Sequence, residues 1–254
     1  VCIGAKLLGI KIYLLEPNIV LGRANRLFLG FCNKIFTYTG NLKNFPEKLK
    51  YKIQIISPLV KKSFYDKREI KIENKEFCLL VVGGSQGAKI FDNVVKNVVK
   101  NLSKKSKIKI IQQTHKSNTD NLKSIYDEAE IENTVFDFEE NLADFINQSD
   151  LCITRAGAST LAELSIMNKP FLTIPLISAK DNHQFENANF YQNLGCCWIM
   201  SQKDFNEVNL EKFLDPIIMN KSEYNIKKNN LEKHNFQNSW NDINQKILET
   251  INEN

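Results

Sequence analysis

From residue 77 onward, short apolar runs alternate with segments that have one apolar and one polar face, and this alternation restricts the possible folds severely. The run FCLLVV at 77–82 contains no polar side chain. A strand of this kind must be buried on both faces, which happens where helices cover a parallel sheet. The pattern therefore predicts an α/β domain whose parallel sheet lies between two layers of helices.

The element boundaries follow from the same alternation. We predict strands at 77–82, 107–113, 133–138, 150–154, 170–175 and 196–200, with helices at 87–102, 119–130, 141–148, 158–167, 182–194, 205–219, 222–232 and 236–252. The first 60 residues repeat the alternation, with strands at 12–15, 34–39 and 51–56 and a helix at 22–32. This predicts a second parallel sheet in the N-terminal part.

Residues 61–76 interrupt the alternation because they are too charged to form core. We therefore divide the chain into an N-terminal domain at 1–60, a linker at 61–76, a second domain at 77–235 and a final helix at 236–254 that crosses back to the first domain. The chain opens with the end of a helix, capped by Gly9. Because the first residue is Val1 rather than Met, we expect the N-terminal domain to be incomplete.

Charge and cysteine content restrict the class of protein. The 34 basic and 29 acidic residues give a net charge of +5, which is too small for a dedicated nucleic-acid binder. An anionic small molecule or an anionic membrane surface suits this charge better. The six cysteines form no CxxC pair and lie mostly in apolar runs, which indicates reduced thiols in a cytoplasmic protein. No apolar run approaches the roughly 20 residues that span a bilayer.

The segment VVGGSQGAK follows the first strand of the second domain. Its glycines, Gly83, Gly84 and Gly87, let the backbone approach a ligand closely, and the Ser85 hydroxyl can donate to it. The segment matches neither GxGxxG nor the P-loop pattern. We favour contact with a phosphate or sugar here, and a tight turn that needs glycine only for its geometry is the alternative.

The segment ITRAGASTLAEL joins the strand at 150–154 to the next helix. Gly157 permits the turn, and the small residues after it leave the N–H groups of the first helical turn exposed to an anion. The alternative is a capping box, in which Thr160 and Glu163 satisfy those N–H groups themselves. Two such helix N-termini at one sheet edge would suit a diphosphate.

A third segment, PLISAKDNHQFENANF, concentrates amide side chains at 182–187. Amides donate and accept hydrogen bonds at once, as a sugar rich in hydroxyl groups requires. A solvated loop and helix start, with Asp181 as the N-cap, is the alternative.

These three motifs, in this order, resemble the family of UDP-N-acetylglucosamine:N-acetylmuramoyl-(pentapeptide) pyrophosphoryl-undecaprenol N-acetylglucosaminyltransferases. The segments LLEPNIVLGRANRL and SPLVKK resemble further elements of that family. The resemblance implies a GT-B fold of two Rossmann-like domains. It also implies transfer of GlcNAc from UDP-GlcNAc to the C4 hydroxyl of undecaprenyl-pyrophosphoryl-MurNAc-pentapeptide, lipid I to lipid II, in peptidoglycan synthesis.

The resemblance also implies roles for individual residues. Asn18 and Gln184 would contact GlcNAc, Glu139 would meet uracil through its backbone, and Glu163 would bind the ribose hydroxyls. The diphosphate would lie against the remaining matched residues, which are Ser85, Gln86, Gly87, Ala158, Ser159, Thr160, Leu161 and Ala162. Lys61 replaces an Arg of the family and loses its bidentate geometry. Other departures are Leu15 for His, Pro17 for Gln and Asn182-His183 for Arg-Gln.

Glu16 is a candidate for assisting the catalytic base, with a cap before Pro17 as the alternative. The resemblance places the main base in a glycine-rich loop that would precede Val1. Because the sequence contains no aspartate cluster of metal-binding type, we predict no bound metal, and we expect no cofactor.

The undecaprenyl tail of the acceptor implies a peripheral enzyme at the cytoplasmic face of the bacterial cell membrane. Basic and apolar residues mix at 23–36, which suits an anionic membrane surface, although core packing is the alternative. Two other functions fit the chain: another GT-B lipid glycosyltransferase, or a non-catalytic nucleotide-sugar-binding half that needs a partner.

Overall fold

In a computed structural model, residues 1–68, 76–83, 89–176, 182–235 and 239–253 are described, and they contain two parallel sheets. The smaller sheet comprises β1 (Tyr13–Glu16), β2 (Lys34–Thr37) and β3 (Ile53–Ile55), in that order. The larger comprises β4 (Phe77–Val82), β5 (Ile108–Gln113), β6 (Asn133–Phe136), β7 (Leu151–Thr154), β8 (Phe171–Thr173) and β9 (Cys197–Ile199). The predicted α/β architecture with parallel sheets is confirmed.

Helices connect these strands and follow them. They are α1 (Cys2–Leu7), α2 (Arg23–Phe28), α3 (Lys62–Arg68), α4 (Lys89–Ser103), α5 (Thr119–Asp127), α6 (Leu142–Gln148), α7 (Ala158–Ile166), α8 (His183–Asn193), α9 (Glu207–Asn220), α10 (Ser222–Asn235) and α11 (Trp240–Glu253). Gly9 adopts φ of 70° just after α1, as predicted for a C-terminal cap.

The strand order of the larger sheet is β6–β5–β4–β7–β8–β9. The chain builds outward from β4 to β6, then crosses to the other side of β4 and builds outward again to β9. The order therefore reverses between β4 and β7. In an open parallel sheet, the crevice at the carboxyl ends of the two strands beside such a reversal is where ligands bind.

The packing of strand β4 on both faces explains why its sequence is apolar throughout. Leu80 and Val82 enter a core shared with α3, α6, α7 and α8, whereas Leu79 and Val81 enter a second core shared with α4, α5 and α9. Side chains alternate across a strand, so two covered faces require apolar residues at every position.

Helix α3 lies in the segment predicted to be a linker and corrects part of that prediction. Phe64 and Tyr65 are buried, and the Tyr65 hydroxyl donates to the Pro58 carbonyl at 2.7 Å. The Tyr65 ring also packs against Trp240 of α11, with ring centroids 6.0 Å apart. The charged residues of α3 are exposed or half-buried, so the overall charge of the segment concealed an apolar face.

The end of the chain contacts the smaller sheet. The Tyr13 hydroxyl of β1 donates to the carbonyl of Ile251 in α11 at 3.3 Å.

All six cysteines are free thiols and five are buried, as their sequence context predicted. Among the described residues, no helix has the length and apolar character needed to cross a bilayer.

Candidate active site at the reversal of the larger sheet

Two predicted ligand-binding bends leave adjacent strands at the reversal. Val82 of β4 is in register with Thr154 of β7, so Gly83 and Arg155 begin their bends side by side. The two strands therefore end next to each other, at the edge where the sequence predicts that both bends bind one ligand. Three of the predicted diphosphate residues, Ser85, Gln86 and Gly87, lie outside the described residues.

The bend after β7 places the N-terminus of α7 in this crevice. The N-cap is Gly157, and no side chain caps the helix. Thr160 is the third residue of α7 rather than its N-cap, so the capping box proposed as the alternative is wrong. The first N–H groups of a helix have no intrahelical acceptor, so those at 158–160 are available to an anion.

Gly157 has an ordinary backbone conformation, and the position where a side chain would lie is open space. Its φ of −67° and ψ of 134° are open to any residue, so the turn itself does not require glycine. A Cβ at this position would meet nothing within 4 Å. The missing side chain therefore leaves room directly in front of the helix N-terminus.

The residues predicted to form the diphosphate turn, 158–162, differ in their exposure. Leu161 and Ala162 are buried in the core, and the Leu161 N–H donates to the Gly157 carbonyl at 3.0 Å. Only Ala158, Ser159 and Thr160 face outward. Of the residues predicted to bind the diphosphate, 158–160 are thus the ones whose N–H groups are open to a ligand.

Glu163 lies one helical turn beyond that N-terminus and is partly buried. Burial raises the pKa of its carboxyl to about 7, and the charge of Lys61 opposes this rise. None of the described residues forms a hydrogen bond to the carboxylate. Its acceptors are therefore available to ligand hydroxyl groups.

Lys61 lies near Glu163, and it contacts Glu140, the residue after Glu139. The Lys61 ammonium donates to the Glu140 carbonyl at 3.4 Å, which places Lys61 between α7 and the segment after β6. The Glu139 carboxylate accepts from the Asn141 N–H at 2.7 Å. This bond anchors the Glu139 side chain locally, which is compatible with the predicted contact of the Glu139 backbone with uracil.

The smaller sheet contributes a loop after β1. The Glu16 carboxylate is 2% exposed and accepts four hydrogen bonds, from the Asn18 backbone (3.2 Å) and side chain (2.9 Å), the Gly22 N–H (2.7 Å) and the Asn25 side chain (2.9 Å). A Cβ on Gly22 would lie 2.9 Å from a Glu16 oxygen, so only glycine permits this approach. All four donors belong to residues 18–25, so the carboxylate is already engaged within the protein. Glu16 organises the loop, which argues against the predicted assistance to the base.

Val1, before which the resemblance places the loop with the main base, is the N-cap of α1 and is fully exposed. The location of the main base in a preceding loop stays a prediction.

Helix α8 brings the amide-rich segment to the same crevice. The Gln184 carbonyl oxygen accepts from the Leu176 N–H at 3.0 Å, which leaves its NH₂ group for a ligand. Beside the start of α8 lies a mainly apolar cavity of about 250 Å³, lined by Pro175, Leu176, Asn182, Phe185, Ile199, Ser201 and Gln202. Asp181, the predicted N-cap, lies outside the described residues, and Asn182 occupies the N-cap position.

Among the described residues, no group of three His, Cys, Asp or Glu side chains is arranged to hold a metal ion. The polar groups that converge on the crevice are N–H donors, amides and one carboxylate. This set can bind a sugar attached to a diphosphate.

Comparison with known proteins identifies the family. The profile of the Glycosyltransferase family 28 C-terminal domain matches residues 78–246. A protein of Pelagibacter ubique, named UDP-N-acetylglucosamine--N-acetylmuramyl-(pentapeptide) pyrophosphoryl-undecaprenol N-acetylglucosamine transferase, is 51% identical over 100% of this chain and 71% of its own length. A Rickettsia bellii protein of the same name is 34% identical over 89% of this chain and 67% of its own length. The chain belongs to this transferase family.

Solved structures place the transferase chain among GT-B folds, as predicted. The crystal structure of Acinetobacter baumannii MurG superposes with a TM-score of 0.78 at 22% identity, covering 100% of this chain and 70% of that one. A UDP-GlcNAc 2-epimerase from Neisseria meningitidis bound to UDP-GlcNAc superposes with a TM-score of 0.68 at 16% identity, covering 100% and 72%. At these identities the superpositions establish the fold alone.

Two residues of this transferase chain had no predicted role in the site. The Arg155 guanidinium donates to the Ile174 carbonyl at 2.8 Å and lies 5.2 Å from the centre of the Phe91 ring, which holds the bend after β7 against the sheet. Asn187 connects the two sheets, with a buried side chain. Its place in the amide-rich segment was visible, but its partners lie far away in sequence.

Proposed function

We propose that this chain carries out the donor-binding part of a hexosyltransferase reaction. The reaction moves GlcNAc from UDP-GlcNAc to the C4 hydroxyl of undecaprenyl-pyrophosphoryl-MurNAc-pentapeptide, lipid I to lipid II, in peptidoglycan synthesis. The observation that carries the proposal is the uncapped N-terminus of α7 at the sheet reversal, with Glu163 one turn further on. The names of the two relatives support both substrates.

The donor fits the crevice in parts. Its diphosphate accepts from the N–H groups at 158–160, where the positive end of the α7 dipole favours negative charge. Ser85, Gln86 and Gly87 follow the neighbouring strand β4 in the sequence, and we assign them to the same diphosphate. The ionised Glu163 carboxylate accepts from the ribose hydroxyls.

The uracil base and the GlcNAc sugar lie on opposite sides of the diphosphate. Uracil meets the backbone at Glu139, with Lys61 beside it. The free NH₂ group of Gln184 donates to GlcNAc hydroxyls, and Asn18 approaches the sugar from the smaller sheet.

The transfer is a single displacement with inversion. The acceptor C4 oxygen attacks C1 of GlcNAc, the bond from C1 to the diphosphate oxygen breaks, and its electron pair leaves with UDP. Negative charge grows on the diphosphate in the oxocarbenium-like transition state. The N–H groups of α7 therefore stabilise the transition state more than the ground state.

The undecaprenyl tail of the acceptor places the enzyme at the cytoplasmic face of the cell membrane as a peripheral protein. Leu27 is 73% exposed and Phe31 is 38% exposed beside the exposed Arg23 and Arg26, which supports contact with anionic lipid. Leu29, Ile35 and Phe36 of the same segment are buried, so core packing accounts for those three.

Calorimetric titration of UDP-GlcNAc and UDP-glucose tests the donor assignment. We expect UDP-GlcNAc to bind more tightly, and we expect Glu163→Ala to weaken it by more than about tenfold, or 1.4 kcal/mol. Glu128→Ala, at the exposed C-cap of α5, serves as the control. Equal affinity for the two sugars would favour a different GT-B glycosyltransferase, and unchanged affinity in Glu163→Ala would remove the ribose assignment.

A further inference from the structure

The side chain of Asn187 in α8 bridges the two sheets through three hydrogen bonds. Its Nδ2 donates to the Ala156 carbonyl at 3.2 Å and to the Asn18 Oδ1 at 3.1 Å, and its Oδ1 accepts from the Ile19 N–H at 2.9 Å. Asn187 is only 3% exposed. One buried carboxamide thus joins the loop after β1 to the bend that precedes α7.

The bridge continues to Glu16 and fixes the orientation of the Asn18 amide. Asn18 donates from Nδ2 to the Glu16 carboxylate at 2.9 Å while its Oδ1 accepts from Asn187. The oxygen and one amide hydrogen are therefore occupied, which leaves the second amide hydrogen to face a ligand. Without the donor from Asn187, rotation of the Asn18 amide is less restricted.

We propose that Asn187 is a positioning residue for GlcNAc transfer. It holds the remaining N–H of Asn18 toward the donor sugar and keeps the Asn18 loop in register with the α7 N-terminus. This inference rests on the proposed function, since it concerns how the same site is aligned. Asn187 itself uses both amide hydrogens within the protein, so it acts through Asn18 and Ala156.

Asparagine suits this position because the bridge needs two donors and one acceptor on the same planar group. Aspartate has the same shape but no donor, so its oxygens would face the Ala156 carbonyl and the Asn18 oxygen. The neighbouring ion pair of Lys43 with Glu186 also links the smaller sheet to α8. The Lys43 side chain is 50% exposed, and exposed ion pairs contribute little, so this pair cannot replace the buried bridge.

The test measures kcat, KM for UDP-GlcNAc and thermal stability in the full-length protein carrying Asn187→Ala, Asn187→Asp, Asn18→Ala or Asn18→Ala with Asn187→Ala. We expect Asn187→Ala to lower kcat by about tenfold or more while KM changes by less than about threefold. We expect Asn187→Asp to lower kcat at least as much. The double variant should be no slower than about half the rate of Asn18→Ala, because the two residues act in one chain of bonds.

Asn230→Ala is the matched control. It removes a carboxamide that donates to the Gly195 carbonyl at 3.1 Å, on α10, and should leave kcat unchanged. If Asn187→Ala does not fold, Asn187→Asp replaces it, since Asp keeps the side-chain volume and the acceptor for Ile19.

Three results would overturn the inference: normal kcat in the Asn187 variants, a rise in KM without a fall in kcat, or fully additive losses in the double variant. Each of them requires a wild-type protein that transfers GlcNAc. A wild-type protein that transfers none would instead contradict the proposed function.

Discussion

At the residue scale, the Glu163 carboxylate destabilises the fold when it is ionised, and it can bind the hydroxyl groups of a ligand. Its carboxyl is partly buried and has no hydrogen-bond donor among the described residues, and burial raises its pKa to about 7. An ionised carboxylate in such a place destabilises the folded chain. A ligand that donates hydroxyl groups would relieve that cost.

The folded chain holds the Glu163 proton more tightly than the unfolded chain does. The stabilisation from this proton is therefore complete below the unfolded pKa of 4.5 and is lost as pH rises through about 7. We predict that Glu163→Gln, which cannot ionise, raises the free energy of unfolding by roughly 1–3 kcal/mol at pH 8 and has little effect at pH 4.5. Thermal unfolding at both pH values measures this.

The control for that prediction is Glu128→Gln, which removes an exposed carboxylate at the end of α5 and should shift the melting temperature little at either pH. A melting temperature at pH 8 that is lower in Glu163→Gln than in the wild type would show that the ionised carboxylate stabilises the fold.

The sequence pointed to Glu163 as a candidate site residue, but it did not show that Asn187 bridges the two sheets. The reason is physical. The resemblance implied the role of Glu163 through a short contiguous motif, which is a local relation, and that role stays a prediction. The partners of Asn187, Asn18 and Ile19, lie 169 and 168 residues away in the chain. No local pattern predicts such contacts.

At the element scale, the N-terminus of α7 is the feature on which donor binding depends. Ser159 is exposed at its second position, and no side chain caps the helix. A carboxylate there would be stabilised by the helix dipole and would repel a diphosphate.

We therefore predict opposite effects of Ser159→Asp on binding and on stability. The dissociation constant for UDP-GlcNAc should rise by about tenfold or more. The melting temperature should stay the same or rise, since an acidic residue in the first turn contributes about 0.3–1 kcal/mol. Ser159→Asn, similar in size but neutral, is the control for calorimetry, and equal affinity in the Asp and Asn variants would place the diphosphate elsewhere.

The elements themselves were largely predictable because apolar runs and amphipathic helices are local signals. Strand β4 occupies the predicted residues 77–82, whereas β8 is shorter than the predicted 170–175. Helix α5 ends earlier than predicted, and Glu130 follows it at φ of 54°. A non-glycine residue in this conformation gives no stop signal in the sequence. Helix α3 was missed because its charge outweighed its two buried aromatic residues.

At the scale of the whole molecule, two parallel sheets meet around the crevice, and part of the smaller sheet's surface remains apolar. Leu27 and Phe31 are exposed beside Arg23 and Arg26, whereas the core residues of the same segment are buried. The sequence of residues 23–36 alone could not distinguish the exposed apolar residues from the buried ones, because the segment contains both helix and strand positions.

We predict that Leu27→Ser combined with Phe31→Ser lowers binding to vesicles that contain anionic lipid, measured by co-sedimentation. Full burial of each side chain in lipid would contribute about 1.5–3 kcal/mol. Val208→Ser removes an equally exposed apolar side chain from α9, on the larger sheet, and should have no effect. Undiminished vesicle binding by the double variant would exclude this surface as the membrane contact.

A crystal structure of the complex with UDP tests most directly whether the α7 N-terminus at the sheet reversal holds the diphosphate. We predict phosphate oxygens within hydrogen-bonding distance of the N–H groups of Ser159 and Thr160, with the ribose hydroxyls on the Glu163 carboxylate. UDP bound away from this crevice, for example in the cavity beside Pro175 and Phe185, with the N-terminus of α7 left to solvent, would contradict the assignment.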